Sequence, residues 1–197
     1  MKNGRVEELL QSLEHEMGGE KIYKTALSCV LNPDLKLEWT KYLDETRQHV
    51  SALKSICHAL SIDPSRETRG RSVVRRVGAA LEEAIKLSLS AGDPAAAELV
   101  ASECVVLAET KGHLDWELLG KCAEHMDWTA AKAITSVSRE IEDPKDEHLY
   151  HSKGFCRELW LRYLEGVEYE QPDSTREDSR ASIPVLPKAR PTRRLCT

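Results

Sequence analysis

Prolines set beside an Asp or Asn punctuate this chain at Asn32-Pro33-Asp34, Asp63-Pro64-Ser65, Gly92-Asp93-Pro94 and Asp143-Pro144. A proline has no N–H to give and its ring fixes φ, so it ends one helix or opens the next, with the neighbouring Asp or Asn as cap. Between these stops the apolar residues recur every three or four positions, the period of a helix with one buried face. Long helices joined by short turns are what such a pattern can fold into.

Residues 4–31 read as one amphipathic helix whose stripe is Val6, Leu9, Leu10, Leu13, Met17, Leu27 and Leu31. A second runs from the Asn32-Pro33-Asp34 turn to about Ser61, through Leu35, Trp39, Tyr42, Val50, Leu53, Ile56 and Leu60. The link is short enough to force an antiparallel hairpin. A polar connection through the basic stretch Arg66–Arg76 leads to a shorter helix ending near Ser90. The next helix, 94–125, is apolar nearly all round, with its main stripe through Val100, Cys104, Leu107, Leu114 and Leu118. Asp127 can cap a last helix with Ile134, Val137 and Ile141, which Pro144 should kink or break before it resumes to Gly166. The expected fold is all-α: two antiparallel hairpins joined by a crossover of about thirty residues that carries an extra helix, the connectivity of a ferritin-like four-helix bundle. The bundle should occupy 1–170, and Pro172, Pro184, Pro187 and Pro191 make 171–197 an extended or disordered tail.

A single Phe among 197 residues, against an abundance of Leu, Ala, Glu and Lys, favours helix over strand. No apolar run is long enough for a membrane span, and Met1-Lys2-Asn3-Gly4-Arg5 lacks the apolar core of a secretion signal. The six cysteines (Cys29, Cys57, Cys104, Cys122, Cys156, Cys196) are scattered without a C-x-x-C, which points to buried thiols in a reducing cytoplasm. Net charge is −5, and the tail is basic, so the body is more acidic still. That balance argues against nucleic-acid binding, which needs a basic footprint.

Candidate chemistry lies in a repeated spacing: Glu45–His49, Glu109–His113 and Glu147–His151 each set a carboxylate four residues before an imidazole. On a helix both groups then share a face, and such pairs from separate helices build metal sites inside bundles. Hairpin levels test the pairing. Glu20 and Glu45 lie almost equally far from Pro33, as do Glu16 and His49, and a glutamate on a buried face needs a partner or a metal. In the second hairpin the levels agree but the helical phase does not: it turns Glu103 and His148 inward rather than Glu109 and His151. Gly18-Gly19, just before Glu20, allows a π-bulge, a close helix approach or a break. There is no dinucleotide fingerprint, P-loop, H-E-x-x-H or nucleophile elbow.

The phrase Tyr42-Leu43-Asp44-Glu45-Thr46-Arg47-Gln48-His49-Val50 resembles the second-helix motif of small bacterial ferritin-like proteins. Ala108-Glu109-Thr110-Lys111-Gly112-His113-Leu114-Asp115-Trp116 and Asp146-Glu147-His148-Leu149-Tyr150-His151 are similar to third- and fourth-helix phrases of an uncharacterised branch of that superfamily. The likeness spans about residues 4 to 166. It implies one lone glutamate from each of two helices and a Glu/His pair from each of the other two. Carried over, Glu20 matches the first-helix glutamate and Glu45 with His49 the second-helix pair. Glu109 and Glu147 with His151 match the second half, with His113 or His148 as extra or substitute ligands. The Glu-x-x-x-His spacing is one residue longer than the superfamily's usual Glu-x-x-His, which rotates the two groups differently about the helix.

The resemblance implies one or two Fe or Mn ions, with Zn also chemically suitable, and oxygen or peroxide chemistry near Tyr23 or Tyr42. Pairing of two copies as a homodimer is compatible with it. Two other readings stand beside it: a non-catalytic structural or stress-associated bundle whose Glu–His pairs are hydrogen bonds, and a single-metal site of the DinB type using His49, His148 and His151.

Overall fold

Two of the predicted stops, Asn32-Pro33 and Asp93-Pro94, act through a specific cap, and α3 opens on a further one at Thr68. The Asn32 side chain accepts from the amides of Asp34 (3.0 Å) and Leu35 (3.1 Å), with Pro33 in the first turn. Asp93 accepts from Ala96 N (3.1 Å) ahead of Pro94, and Thr68 Oγ1 accepts from Arg71 N (3.1 Å). In a computed structural model that describes residues 3–124 and 128–166, five helices result: α1 (Asn3–Ala26), α2 (Pro33–Ala59), α3 (Arg69–Ser90), α4 (Pro94–Ala123) and α5 (Trp128–Glu165). No strand occurs among the described residues. The cap read at Asp127 and the tail from 171 lie outside them.

Side-chain pairs set the directions. Glu16 meets His49 and Tyr23 packs edge-on against Tyr42, so α1 and α2 run antiparallel. Glu109 meets Lys145 and Glu103 meets Trp160, so α4 and α5 do too. Glu16 also reaches Trp116 on α4, and Glu45 reaches His148 on α5. The four helices therefore form a ring in the order α1, α2, α5, α4. α3 packs outside it, against α1 and α4 and parallel to α1.

Glutamates on α1 fix α3 in place. Arg71 Nε donates to Glu14 Oε2 (2.6 Å), and its Nη1 donates to the carbonyls of Pro64 (2.5 Å) and Arg66 (3.1 Å), tying down the α2–α3 connection. Glu7 Oε1 accepts from Thr68 Oγ1 (2.8 Å) and Gly70 N (2.9 Å). The basic stretch is thus largely the first two turns of α3 rather than a linker. Gly18 and Gly78 face each other where α1 and α3 come closest: a Cβ on Gly78 would lie 3.7 Å from Gly18 Cα. Of the roles open to Gly18-Gly19, close helix approach is the one observed, since α1 continues through them unbroken.

Three expectations are revised. α1 ends at Ala26, not Leu31, because Glu98 of α4 reaches into the turn and accepts from Leu31 N and Asn32 N at 2.7 Å each. α5 is one helix of 38 residues that passes through Pro144. The lost backbone bond costs about 3 kcal/mol, which burial of Ile134, Ile141, Leu149 and Leu159 along the same helix offsets. On α4, Leu107, Leu114 and Leu118 are exposed, and the buried face is Ala101, Cys104, Val105, Ala108, Trp116 and Leu119.

The core is split in two. One apolar cluster gathers Tyr23, Leu35, Trp39, Tyr42, Val105 and Leu159. The other gathers Leu9, Leu13, Leu53, Trp116, Ile134 and Ile141 at the opposite end. Charged side chains occupy the level between them.

Candidate functional site

The layer between the two cores holds Glu16, His49, Glu109, Lys145 and His148, with exposures of 2, 4, 3, 2 and 0 %. Ionisable groups this deep survive only when paired and hydrogen-bonded. Lys145 Nζ lies 3.1 Å from Glu16 Oε1 and 3.2 Å from Glu109 Oε2, joining α1, α4 and α5 through one ammonium. Trp116 Nε1 donates to Glu16 Oε1 (2.8 Å) and the Tyr23 hydroxyl donates to Glu109 Oε1 (2.8 Å). The imidazoles flank this centre. His49 Nδ1 stands 3.4 Å from Glu16 Oε2 and His148 Nδ1 stands 3.6 Å from Glu109 Oε2. His148 Nε2 is hydrogen-bonded to Glu45 Oε2 at 2.5 Å, which carries the network to the half-buried edge of α2.

Electrostatics decide the charge states. Burial alone raises a carboxyl, but the Lys145 ammonium overrides it and holds Glu16 well below the ordinary range, with His49 contributing. Against the same burial, Lys145 and then His148 hold Glu109 at about 2. Burial would strip the proton from Lys145, yet Glu109 and Glu16 push its pKa above the ordinary lysine value instead. Both carboxylates and the ammonium are therefore charged together, and the ammonium is in no state to act as a nucleophile or base.

A second group lies outward on the α2/α5 edge. Glu38, Glu147 and His151 bring one ligand atom each within 4.8 Å of one another. His151 Nδ1 is 3.8 Å from Glu38 Oε2 and 4.0 Å from Glu147 Oε1, and it is hydrogen-bonded to the Tyr42 hydroxyl at 2.9 Å. Lys41 Nζ donates to Glu147 Oε1 (2.7 Å), which pulls the Glu147 carboxyl below its usual value. His151 is half exposed, with the two carboxylates partly so.

The eight residues singled out by spacing and resemblance go to four places. Glu109, His49 and His148 meet in the interior, with Glu45 at its rim. Glu147 and His151 meet at the edge. His113 faces α5 elsewhere, its Nε2 2.6 Å from Asp146 Oδ1. Glu20 turns outward to Lys24 (2.5 Å) and Arg47 (3.6 Å). Glu20 lies away from the interior group because the buried face of α1 rotates along its length. It runs through Leu9 and Leu13 early and through Ile22, Tyr23 and Ala26 late, so a straight stripe drawn from Leu13 to Leu27 misassigns the middle. Glu16, level with His49, takes the inward position. Glu109 points inward despite the phase argument, because three of the five residues in the stripe chosen for α4, Leu107, Leu114 and Leu118, lie on its exposed side.

Lys145 and Glu38 carry more of the geometry than spacing indicated. Lys145 follows Ile134 and Ile141 and precedes His148 and Ser152 at helical intervals on one buried face, the available signal for an inward lysine. Glu38 lies one turn before Tyr42, but only the α2/α5 register brings it to His151.

The interior does not fit the dinuclear centre that the resemblance implies. Glu20 and His113 are outside it, and the two inward carboxylates already share the buried ammonium of Lys145. The edge group fits a single ion better: two carboxylates and an imidazole are donors suited to Fe, Mn or Zn. No family model, curated protein or solved structure matches the chain. What stands independently is an all-helical five-helix bundle, in which no described helix is long and apolar enough to cross a membrane.

Proposed function

We propose that this bundle binds one divalent transition-metal ion at Glu38, Glu147 and His151, on the edge shared by α2 and α5. The observation that carries the reading is the convergence of three potential ligand atoms from two helices within 4.8 Å. Fe(II), Mn(II) and Zn(II) match this donor set, and partial exposure lets an ion enter. Lys41 and Tyr42 hold the ligands in the meantime: an ion takes over the charge that Lys41 neutralises on Glu147 and displaces the Tyr42 hydroxyl from His151 Nδ1. Binding should therefore release protons and weaken as pH falls. The hairpins α1–α2 and α4–α5, with α3 as crossover, support the further reading of a ferritin-like bundle whose interior charges are structural.

Metal analysis of chelator-stripped and reloaded protein tests this. The expected result is about one ion per chain, falling below about 0.2 in His151→Ala and in Glu38→Gln. Equal metal content in wild type and both variants contradicts it.

A further inference from the structure

We infer that Lys145 is a tethered cation standing where a metal ion would otherwise sit, so that the bundle interior becomes a metal site when its ammonium is removed. This is independent of the edge group.

The first support is placement. Nζ lies 3.1 and 3.2 Å from carboxylates on two different helices, Glu16 and Glu109, and the side chain is almost wholly buried. A monovalent charge on a four-carbon stem thus bridges two anions in the middle of the molecule, as a bound cation would. The second support is the space cut for it. Gly112 of α4 faces the ammonium, and a Cβ there would come within 3.1 Å of Nζ and 3.2 Å of His15 Nε2. Glycine in the middle of a helix is unfavourable without a reason, and room for the lysine head supplies one.

The third support is what surrounds the ammonium. His49 Nδ1 and His148 Nδ1 are buried ring nitrogens without a hydrogen-bond partner, standing 3.4 Å from Glu16 Oε2 and 3.6 Å from Glu109 Oε2. Two carboxylates and two imidazoles are ligand types suited to Zn, Co, Fe or Mn, and they would have to draw together about the ion once the ammonium is gone. Tyr23 and Trp116 hold the remaining carboxylate oxygens in orientation. With Lys145 present, a divalent ion would meet a fixed like charge among its ligands. Without it, two buried carboxylates are left uncompensated, and an ion is the remedy at hand.

Cobalt(II) is the probe, and both proteins carry His151→Ala so that the edge group cannot contribute. The background with Lys145 should bind less than about 0.2 cobalt per chain, and Lys145→Ala in that background about one. Visible absorption should report imidazole ligation, and the signal should disappear when His49→Ala or Glu109→Gln is added. If Lys145→Ala melts at a lower temperature or is unfolded without metal, cobalt should restore its transition, because an ion that binds only the folded chain stabilises it. Two results overturn the inference. One is cobalt bound in the Lys145-containing background and lost on Glu16→Gln. The other is Lys145→Ala that neither binds cobalt nor regains stability in its presence. Loss of metal from the wild type on His151→Ala alone bears on the edge group only, so the two claims fail separately.

Discussion

The interior layer and the α2/α5 edge are built from the same residue types on neighbouring turns, yet they solve charge balance differently. In the interior, Glu16 and Glu109 share Lys145, which is buried with them and cannot leave. At the edge, Glu147 is held by Lys41, which is about half exposed. An ion pair of that exposed kind is worth roughly 0–1 kcal/mol and exchanges readily with solvent ions. A tethered cation closes a site; a solvated one leaves it open to exchange. The contrast assigns stability to the interior and metal exchange to the edge.

The largest expected effect breaks the interior side of that contrast. Lys145→Ala strands two buried carboxylates and should cost about 3–5 kcal/mol in metal-free buffer, read by denaturant unfolding. Replacing His151 with Ala should change stability by less than about 0.5 kcal/mol, as surface substitutions do. Similar losses in the two variants would erase the distinction.

Acid comes next. Glu109 sits at about 2 in the folded chain against an ordinary 4.5. A carboxyl lowered by folding stabilises above its unfolded value, and that contribution is lost as pH falls toward the folded one, because the unfolded chain takes up the proton first. Wild-type stability should therefore decline between about pH 4.5 and pH 2, by roughly 3 kcal/mol from this group. Glu109→Gln should flatten the decline across that window. An unchanged acid profile in the variant contradicts the charged pairing.

Two glycines on the same helix sharpen the comparison further. Gly112 faces the ammonium, whereas a Cβ on Gly120 would meet nothing within 4 Å. Gly120→Ala should stabilise by about 0.5–1 kcal/mol through helix propensity alone. Gly112→Ala should fail to show that gain and destabilise by about 1 kcal/mol, since the lysine head or His15 must shift. Equal effects from the two would remove the argument that Gly112 makes room for Lys145.

The sequence carried the helix boundaries wherever a cap had a single meaning. Asn32-Pro33 and Asp93-Pro94 act as read, because their side chains bond amides only a few positions away. Pro144 does not end its helix, because the apolar residues on both sides are held by α4 and by the rest of the core. Of the interior group, the level of Glu16 with His49 was legible from the hairpin, but its orientation depended on a buried face that rotates when α1 packs against three helices at once. Lys145 was hidden by its type: a lysine reads as solvent-facing until its partners on two other helices are known. Glu38 shared a recognisable face with Tyr42, but its meeting with His151 depends on a register between α2 and α5 that no local pattern encodes.

Crystals grown with zinc and measured at the zinc absorption edge test the central claim most directly. The expected anomalous map has one intramolecular peak, bounded by Glu38, Glu147 and His151, and none beside Lys145. A peak among Glu16, His49, Glu109 and His148 in the wild-type chain, with the edge empty, would contradict it.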